Sequence, residues 1–229
     1  MMKDSEYFKF DLWTVAPAFV FIFVMWLVYW VEVKFHFRFT DNGIKPLHIS
    51  GLQGVLFSPF IHGNLKHLWS NTLPCLLLIT ALNYFYRRIS FRVLILGLLF
   101  SGLLTWFIGR PSYHIGASGV VYMLASFLFF KGIVTRHYKM ISLSFIVTFF
   151  YGSLIWYVLP IEDGISWEGH LSGGTTGLIL AVFTRSKLPQ HQIFEWQQEH
   201  YNEEDDPFMR HFDEQGNFIE FTDVDDEQE

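Results

Sequence analysis

Six long apolar blocks dominate this sequence: Leu12 to Val31, His67 to Tyr86, Phe91 to Gly109, Ser118 to Lys131, Met140 to Leu159 and Gly169 to Thr184. A hydrocarbon layer about 30 Å thick takes roughly 17 to 25 helical residues to cross, and shorter spans serve where their ends are buried in protein. No water inside a bilayer can satisfy the backbone, so each block reads as an α-helix and the chain as an all-α membrane protein. The first block is about 20 residues long, follows no basic stretch and precedes no small-residue cleavage pattern, so it reads as a retained span and not a signal peptide.

Charge orients the blocks. Lys and Arg stay on the cytoplasmic side during insertion, and with both termini cytoplasmic the inner flanks carry ten such residues against five on the outer side, Lys34, Arg38, Lys45, Lys66 and Arg110. The sequence therefore divides into a cytoplasmic segment 1–11, a six-transmembrane-helix core 12–187 and an acidic cytoplasmic tail 188–229. The formal charge of −6 hides this division. Residues 186–229 hold 14 acidic and 2 basic side chains, which leaves 8 acidic and 14 basic before them. A positive membrane part suits the anionic headgroups of a lipid bilayer. Nucleic-acid binding needs a basic patch outside the bilayer, and none is found. The lone cysteine, Cys75, gives no disulfide framework and no cysteine metal site.

Two segments fit the pattern less simply. The first loop, Glu32 to Lys66, is longer than most connections in a compact domain, so it is either functional or mobile. Its Phe35, Phe37 and Phe39 either line a partly submerged loop or form an interfacial aromatic belt. The tail mixes aromatics with acidic runs such as Glu203 to Asp206, as weakly ordered interaction segments do, so it either binds an unidentified partner or stays solvated. Its histidines His191, His200 and His211 lack metal-ligand spacing, and no metal or other cofactor is expected.

With the termini inside, spans two, four and six all start at the outer face, and the unusual polar residues stand at those three starts. His67 and Asn71 are four apart and project from one helical face. Ser118 opens span four within Gly-Ala-Ser-Gly, and His170 opens span six. Ser118 lies thirteen residues above Lys131, roughly 20 Å at about 1.5 Å per residue, well inside the hydrocarbon. Polar groups at that depth need protein partners or a hydrated cavity. Serine and histidine together are the minimum for acyl transfer: the imidazole takes the hydroxyl proton and later protonates the leaving group. His67, Asn71 and the Ser118 backbone N–H are candidate donors to the resulting oxyanion. Gly116 and Gly119 permit a tight loop around Ser118. Gly173 and Gly177, spaced as GxxxG, let span six approach span four closely. Tyr122, one turn below Ser118, is placed to pack on the imidazole. Alone, each item has an ordinary structural reading: Ser118 back-bonding to its helix, His170 at an interface, His67 with Asn71 as an interhelical clamp. Their agreement in direction and depth favours the chemical one.

At these residues the chain resembles the rhomboid family of intramembrane serine proteases, over roughly residues 10 to 187. His62-Gly63-Asn64-Leu65-Lys66-His67-Leu68-Trp69-Ser70-Asn71 is similar to the family's second-span motif, Gly116-Ala117-Ser118-Gly119-Val120-Val121-Tyr122 to its GxSGxxY, and Gly169-His170-Leu171-Ser172-Gly173 to its final-span histidine motif. The resemblance implies a six-span rhomboid-like bundle with Ser118 as nucleophile and His170 as general base. It further implies His67 and Asn71 as oxyanion donors, Tyr122 packed on His170, and His62 in a structural or site-hydrating role. It implies cleavage of single-span transmembrane proteins near the outer membrane boundary, by a multi-pass protein of the cell membrane, most simply a bacterial inner membrane. Two departures concern the first loop: a Trp-Arg pair found in several members is missing, and Ser58 stands where a further histidine is usual.

The alternative is a catalytically silent relative that binds membrane helices, although such proteins typically lack the serine or histidine retained here. A transporter is disfavoured because no inverted repeat and no Asp or Glu falls within spans two to six as drawn. Glu162, Asp163 and Glu168 crowd the loop before His170 and are candidates for a third triad member, against the dyad of the family resembled.

Overall fold

The computed structural model describes residues 8–160, 164–186, 200–202, 206, 208–213 and 215–219. Contacts divide the chain at Leu188, into a unit of Asp4–Leu188 and one of Pro189–Glu229.

The first unit is helical. Helix α1 (Leu12–Phe35) starts at a capping box: the Asp11 carboxylate accepts from the Thr14 N–H at 3.1 Å and the Thr14 hydroxyl accepts from the Asp11 N–H at 3.2 Å. It runs four residues past the expected end at Val31 and stops where His36 turns left-handed, φ 56°. Glu32 fixes the chain beyond it by accepting from the Phe39 N–H at 2.9 Å. The first loop is an ordered run of short helical turns, Thr40–Asn42, Ile49–Gly51, Gly54–Phe57 and Ser58–Phe60, whose local bonds satisfy the backbone that a bare loop would leave open. Phe35, Phe37 and Phe39 form a ring-to-ring series along it, with centroids 5.9 and 5.8 Å apart.

Helix α2 (Leu65–Phe85) begins at Asn64, whose side chain accepts from the His67 N–H at 2.8 Å. Helix α3 (Arg87–Ile108) follows after the single residue Tyr86, and α4 (Ser118–Thr135) ends at left-handed Arg136. Helix α5 (Tyr138–Tyr151) is shorter than the expected Met140 to Leu159, because from Gly152 to Val158 the backbone tightens into a 3-10 helix. Helix α6 (Trp167–Phe183) starts two residues before the expected Gly169, on a Ser166 cap, and so takes Glu168 into its first turn, where that carboxylate is 1% exposed. The block drawn from Gly169 to Thr184 holds no acidic residue; the helix takes one in because the Ser166 hydroxyl, a good helix start, moves the boundary upstream.

Helices α1, α3 and α4 are long and apolar enough to cross a membrane. With the shorter apolar helices they fit a multi-pass membrane protein, and many Phe, Leu and Ile side chains lie exposed on the outside of the bundle, as lipid contact requires.

Helix α4 is the central helix, with Val120, Met123, Leu124, Phe127 and Leu128 all buried. Helix α6 lies against it. A Cβ on Gly173 would overlap the Gly119 carbonyl oxygen, and one on Gly177 would sit 2.8 Å from the Ser126 Cβ, so only glycine allows this approach. The Ser126 hydroxyl donates to the Gly174 carbonyl at 2.7 Å. At the other end, Lys131 is 3% exposed and its ammonium donates to the Ala181 carbonyl at 3.1 Å and to the Thr184 carbonyl. The sequence places Lys131 among the flanking charges; in the fold it satisfies carbonyls that the last turn of α6 leaves open.

In the second unit, Asp213 organises a turn. One oxygen accepts from the Gln215 and Asn217 N–H groups at 2.9 and 2.8 Å, Gly216 takes φ 79°, and Phe212 bridges to Phe218.

Candidate active site

Ser118 is the first residue of α4 and His170 lies in the first turn of α6, fifty-two residues away. The close approach of the two helices brings the Ser118 Oγ to 3.0 Å from the His170 Nε2. The other ring nitrogen, Nδ1, is 2.8 Å from the Tyr157 carbonyl oxygen. A carbonyl only accepts, so Nδ1 carries the proton and Nε2 presents its lone pair to the serine hydroxyl. Tyr122 stacks on the imidazole, ring centroids 4.1 Å apart and planes 7° from parallel. His170 is thus fixed in tautomer by one group and in plane by another.

Gly116 shapes the approach to Ser118. Its φ of 103° belongs to glycine, and its N–H donates to the Ser58 carbonyl at 2.8 Å. A Cβ there would lie 2.5 Å from the His67 Nε2 and 3.7 Å from the Asn71 Nδ2, so both of those side chains face the Gly116 backbone two residues before the serine. Asn71 is 4% exposed and spends one N–H on the His67 carbonyl at 3.1 Å, which leaves its second N–H to donate elsewhere. The Ser118 N–H belongs to the first turn of α4, where helical N–H groups have no partner within the helix. Serine hydroxyl, imidazole, histidine, asparagine and a helix N-terminus therefore gather at one end of α2, α4 and α6. Gly119 lies at the α4–α6 contact, where an added Cβ would be 3.3 Å from the Gly169 carbonyl oxygen.

This juxtaposition coincides with clear relatedness to known proteins. The Rhomboid domain family model matches residues 50–187. This chain belongs to the rhomboid family. Among its relatives, the uncharacterized protein Rv1337 of Mycobacterium tuberculosis is 35% identical over 185 residues, covering 74% of this chain and 75% of its own length. The uncharacterized protein ML1171 of Mycobacterium leprae is 32% identical over 183 residues, covering 74% and 71%. Rhomboid proteins are intramembrane proteases acting on transmembrane substrates, or relatives of these.

His62, 1% exposed, closes the back of this rhomboid's polar cluster, its ring edge-on to His67 with centroids 5.0 Å apart. Its Nδ1 donates to the Phe60 carbonyl at 3.3 Å, and Nε2 has no hydrogen-bond partner among the described residues. Burial, reinforced by neighbouring His67, pushes the His62 imidazole down to about 4, so it is neutral at physiological pH.

Of the acidic candidates for a third member, Glu162 and Asp163 lie outside the described residues. Glu168 does not reach His170 by any hydrogen bond; its Oε1 accepts from the Arg110 N–H at 3.2 Å and lies 3.5 Å from the Arg110 Nε. The position a triad carboxylate would occupy, at Nδ1, belongs to Tyr157. Sequence reasoning missed it because a main-chain oxygen carries no residue signature. The one available signal was the aromatic, Gly- and Pro-flanked end of block five.

Proposed function

We propose that this rhomboid is an intramembrane serine endopeptidase in which Ser118 is the nucleophile and His170 the general base. The observation that carries the reading is the 3.0 Å contact between the Ser118 hydroxyl and an imidazole whose other nitrogen is already committed to Tyr157. As a peptide carbonyl enters, a bond forms between the Ser118 Oγ and the carbonyl carbon while the His170 Nε2 takes the hydroxyl proton. The Ser118 N–H, His67 and Asn71 stabilise the oxyanion. Collapse breaks the C–N bond, His170 protonates the departing amine, and water then releases the acyl group by the same steps reversed.

The six long helices are read as six spans, with both termini cytoplasmic, a core of residues 12–187 and a solvated acidic tail from 188. Ser118, His67 and His170 then share the outer half of the bilayer. The substrates are single-span transmembrane proteins whose helices unwind near the outer boundary, and the enzyme resides in the cell membrane, of a bacterium by its mycobacterial relatives.

The test is labelling of the purified protein by a fluorophosphonate probe beside its Ser118→Ala variant, together with cleavage of a model transmembrane substrate. Labelling and cleavage lost only in the variant are the expected result. Cleavage that persists in Ser118→Ala ends the proposal, and absence of labelling in folded unmodified protein favours a helix-binding, silent relative.

A further inference from the structure

Four polar side chains outside the site just described remain unexplained by the chemistry, and they form a brace between the segment entering α4 and the segment entering α6. From the first come Arg110 and His114, and from the second Ser166 and Glu168.

His114 is 4% exposed. Its Nε2 lies 3.1 Å from the Arg110 carbonyl oxygen and its Nδ1 lies 2.5 Å from the Ser166 Oγ. The carbonyl only accepts, so Nε2 carries the proton and the Ser166 hydroxyl donates to Nδ1. That same oxygen accepts from the Gly169 N–H at 3.3 Å, capping α6. Ser166 therefore joins His114 to the helix that carries His170. Arg110 makes a parallel link: its N–H and Nε address the Glu168 Oε1, and its Nη2 donates to the Ile165 carbonyl at 2.5 Å. Burial holds the His114 imidazole below its ordinary value, which favours the neutral ring that this assignment uses.

The spacing ties the brace to the reaction. His114 stands four residues before Ser118 and Ser166 four residues before His170, so the cross-link joins equivalent points upstream of both groups. A carboxylate only 1% exposed beside a guanidinium adds little net stability compared with apolar packing of the same volume. Geometry is the better account of its presence. We propose that Arg110, His114, Ser166 and Glu168 are positioning residues that set the Ser118 to His170 distance, a role that rests on the serine–histidine reading above.

The experiment measures inactivation of the full chain by a fluorophosphonate at several concentrations, separating the maximal rate kinact from the half-saturating concentration KI, with thermal unfolding measured in parallel. Ser166→Ala removes the hydroxyl, and His114→Phe removes both ring hydrogen bonds while keeping a ring. Each lowers kinact about tenfold or more with KI within about twofold, since small displacements of reacting groups have effects of that size. Ser166→Thr, which retains hydroxyl and cap, restores kinact to within about threefold of the unmodified protein. A role in folding alone would instead lower the labelled fraction at unchanged kinact. Where one of the two variants fails to fold, the other carries the measurement. Labelling of the unmodified chain with unchanged kinact in the variants overturns the brace and leaves the dyad standing. Absence of labelling in the unmodified chain overturns both.

Discussion

The contact between α4 and α6 makes a single-methyl experiment informative. In Gly173→Ala the new Cβ would lie 3.1 Å from both the Gly119 carbonyl carbon and the Tyr122 Cβ, and closer still to the Gly119 oxygen. Carbon atoms in contact prefer about 3.5 to 4.0 Å, and two of these neighbours are backbone, so α6 has to retreat by roughly 0.5 to 1 Å. His170 rides on that helix one turn upstream. Its Nε2 then moves from 3.0 Å toward about 4 Å from the Ser118 Oγ, outside the range in which a base takes a proton directly. A misplacement of this size costs about a hundredfold in rate, and overpacking costs about 1 to 3 kcal/mol of stability. Turnover of a model transmembrane substrate and thermal unfolding in detergent measure the two effects. A Gly173→Ala protein that cleaves at the unmodified rate with an unshifted Tm refutes the claim that the dyad distance depends on the close α4–α6 approach at Gly173.

Three further outcomes follow from named contacts. The folded-state pKa of His62, about 4, lies below the ordinary imidazole value of about 6.5. It therefore contributes stability that is complete above pH 6.5 and is lost as the pH falls from 6.5 towards 4, up to about 3 kcal/mol; unfolding midpoints between pH 4 and 8 should show this decline, and His62→Phe should flatten it. On the proposed role of Asn71 as an oxyanion donor, Asn71→Ala should lower kcat about a hundredfold with little change in KM, as read from substrate cleavage kinetics. Lys131→Met leaves the Ala181 and Thr184 carbonyls without their donor and should cost about 2 kcal/mol, visible as a lower Tm, while kinact of the folded fraction is preserved.

Much of this architecture is written in side chains that hydropathy and spacing expose. The apolar blocks mark where the long helices run, because a helix in lipid leaves a continuous signature. Gly173 and Gly177, Tyr122 one turn from Ser118, and His67 four residues from Asn71 all follow from the 3.6-residue repeat, which puts them on shared faces. What the sequence hides are relations made by backbone and by boundaries. The orientation of His170 comes from the Tyr157 carbonyl, and no residue type advertises a main-chain acceptor. The shift of the α6 start to Ser166 buried Glu168, because a hydroxyl cap outweighs the apolarity that defined the block. The ordered turns of the first loop rest on local i to i+3 bonds that composition does not reveal. Arg110 and His114 look like ordinary loop residues until the fold brings Ser166 and Glu168 against them.

The buried ammonium of Lys131 has a bearing on biogenesis. A nascent chain that has delivered α4 but not yet α6 holds a cation whose acceptors, the oxygens of Ala181 and Thr184, have not been synthesised. That amine must meanwhile reach for lipid headgroups or water, and α4 lacks the contact that seats its far end. The α4–α6 contact that joins Ser118 to His170 is thus locked at its far end only once translation has passed Thr184.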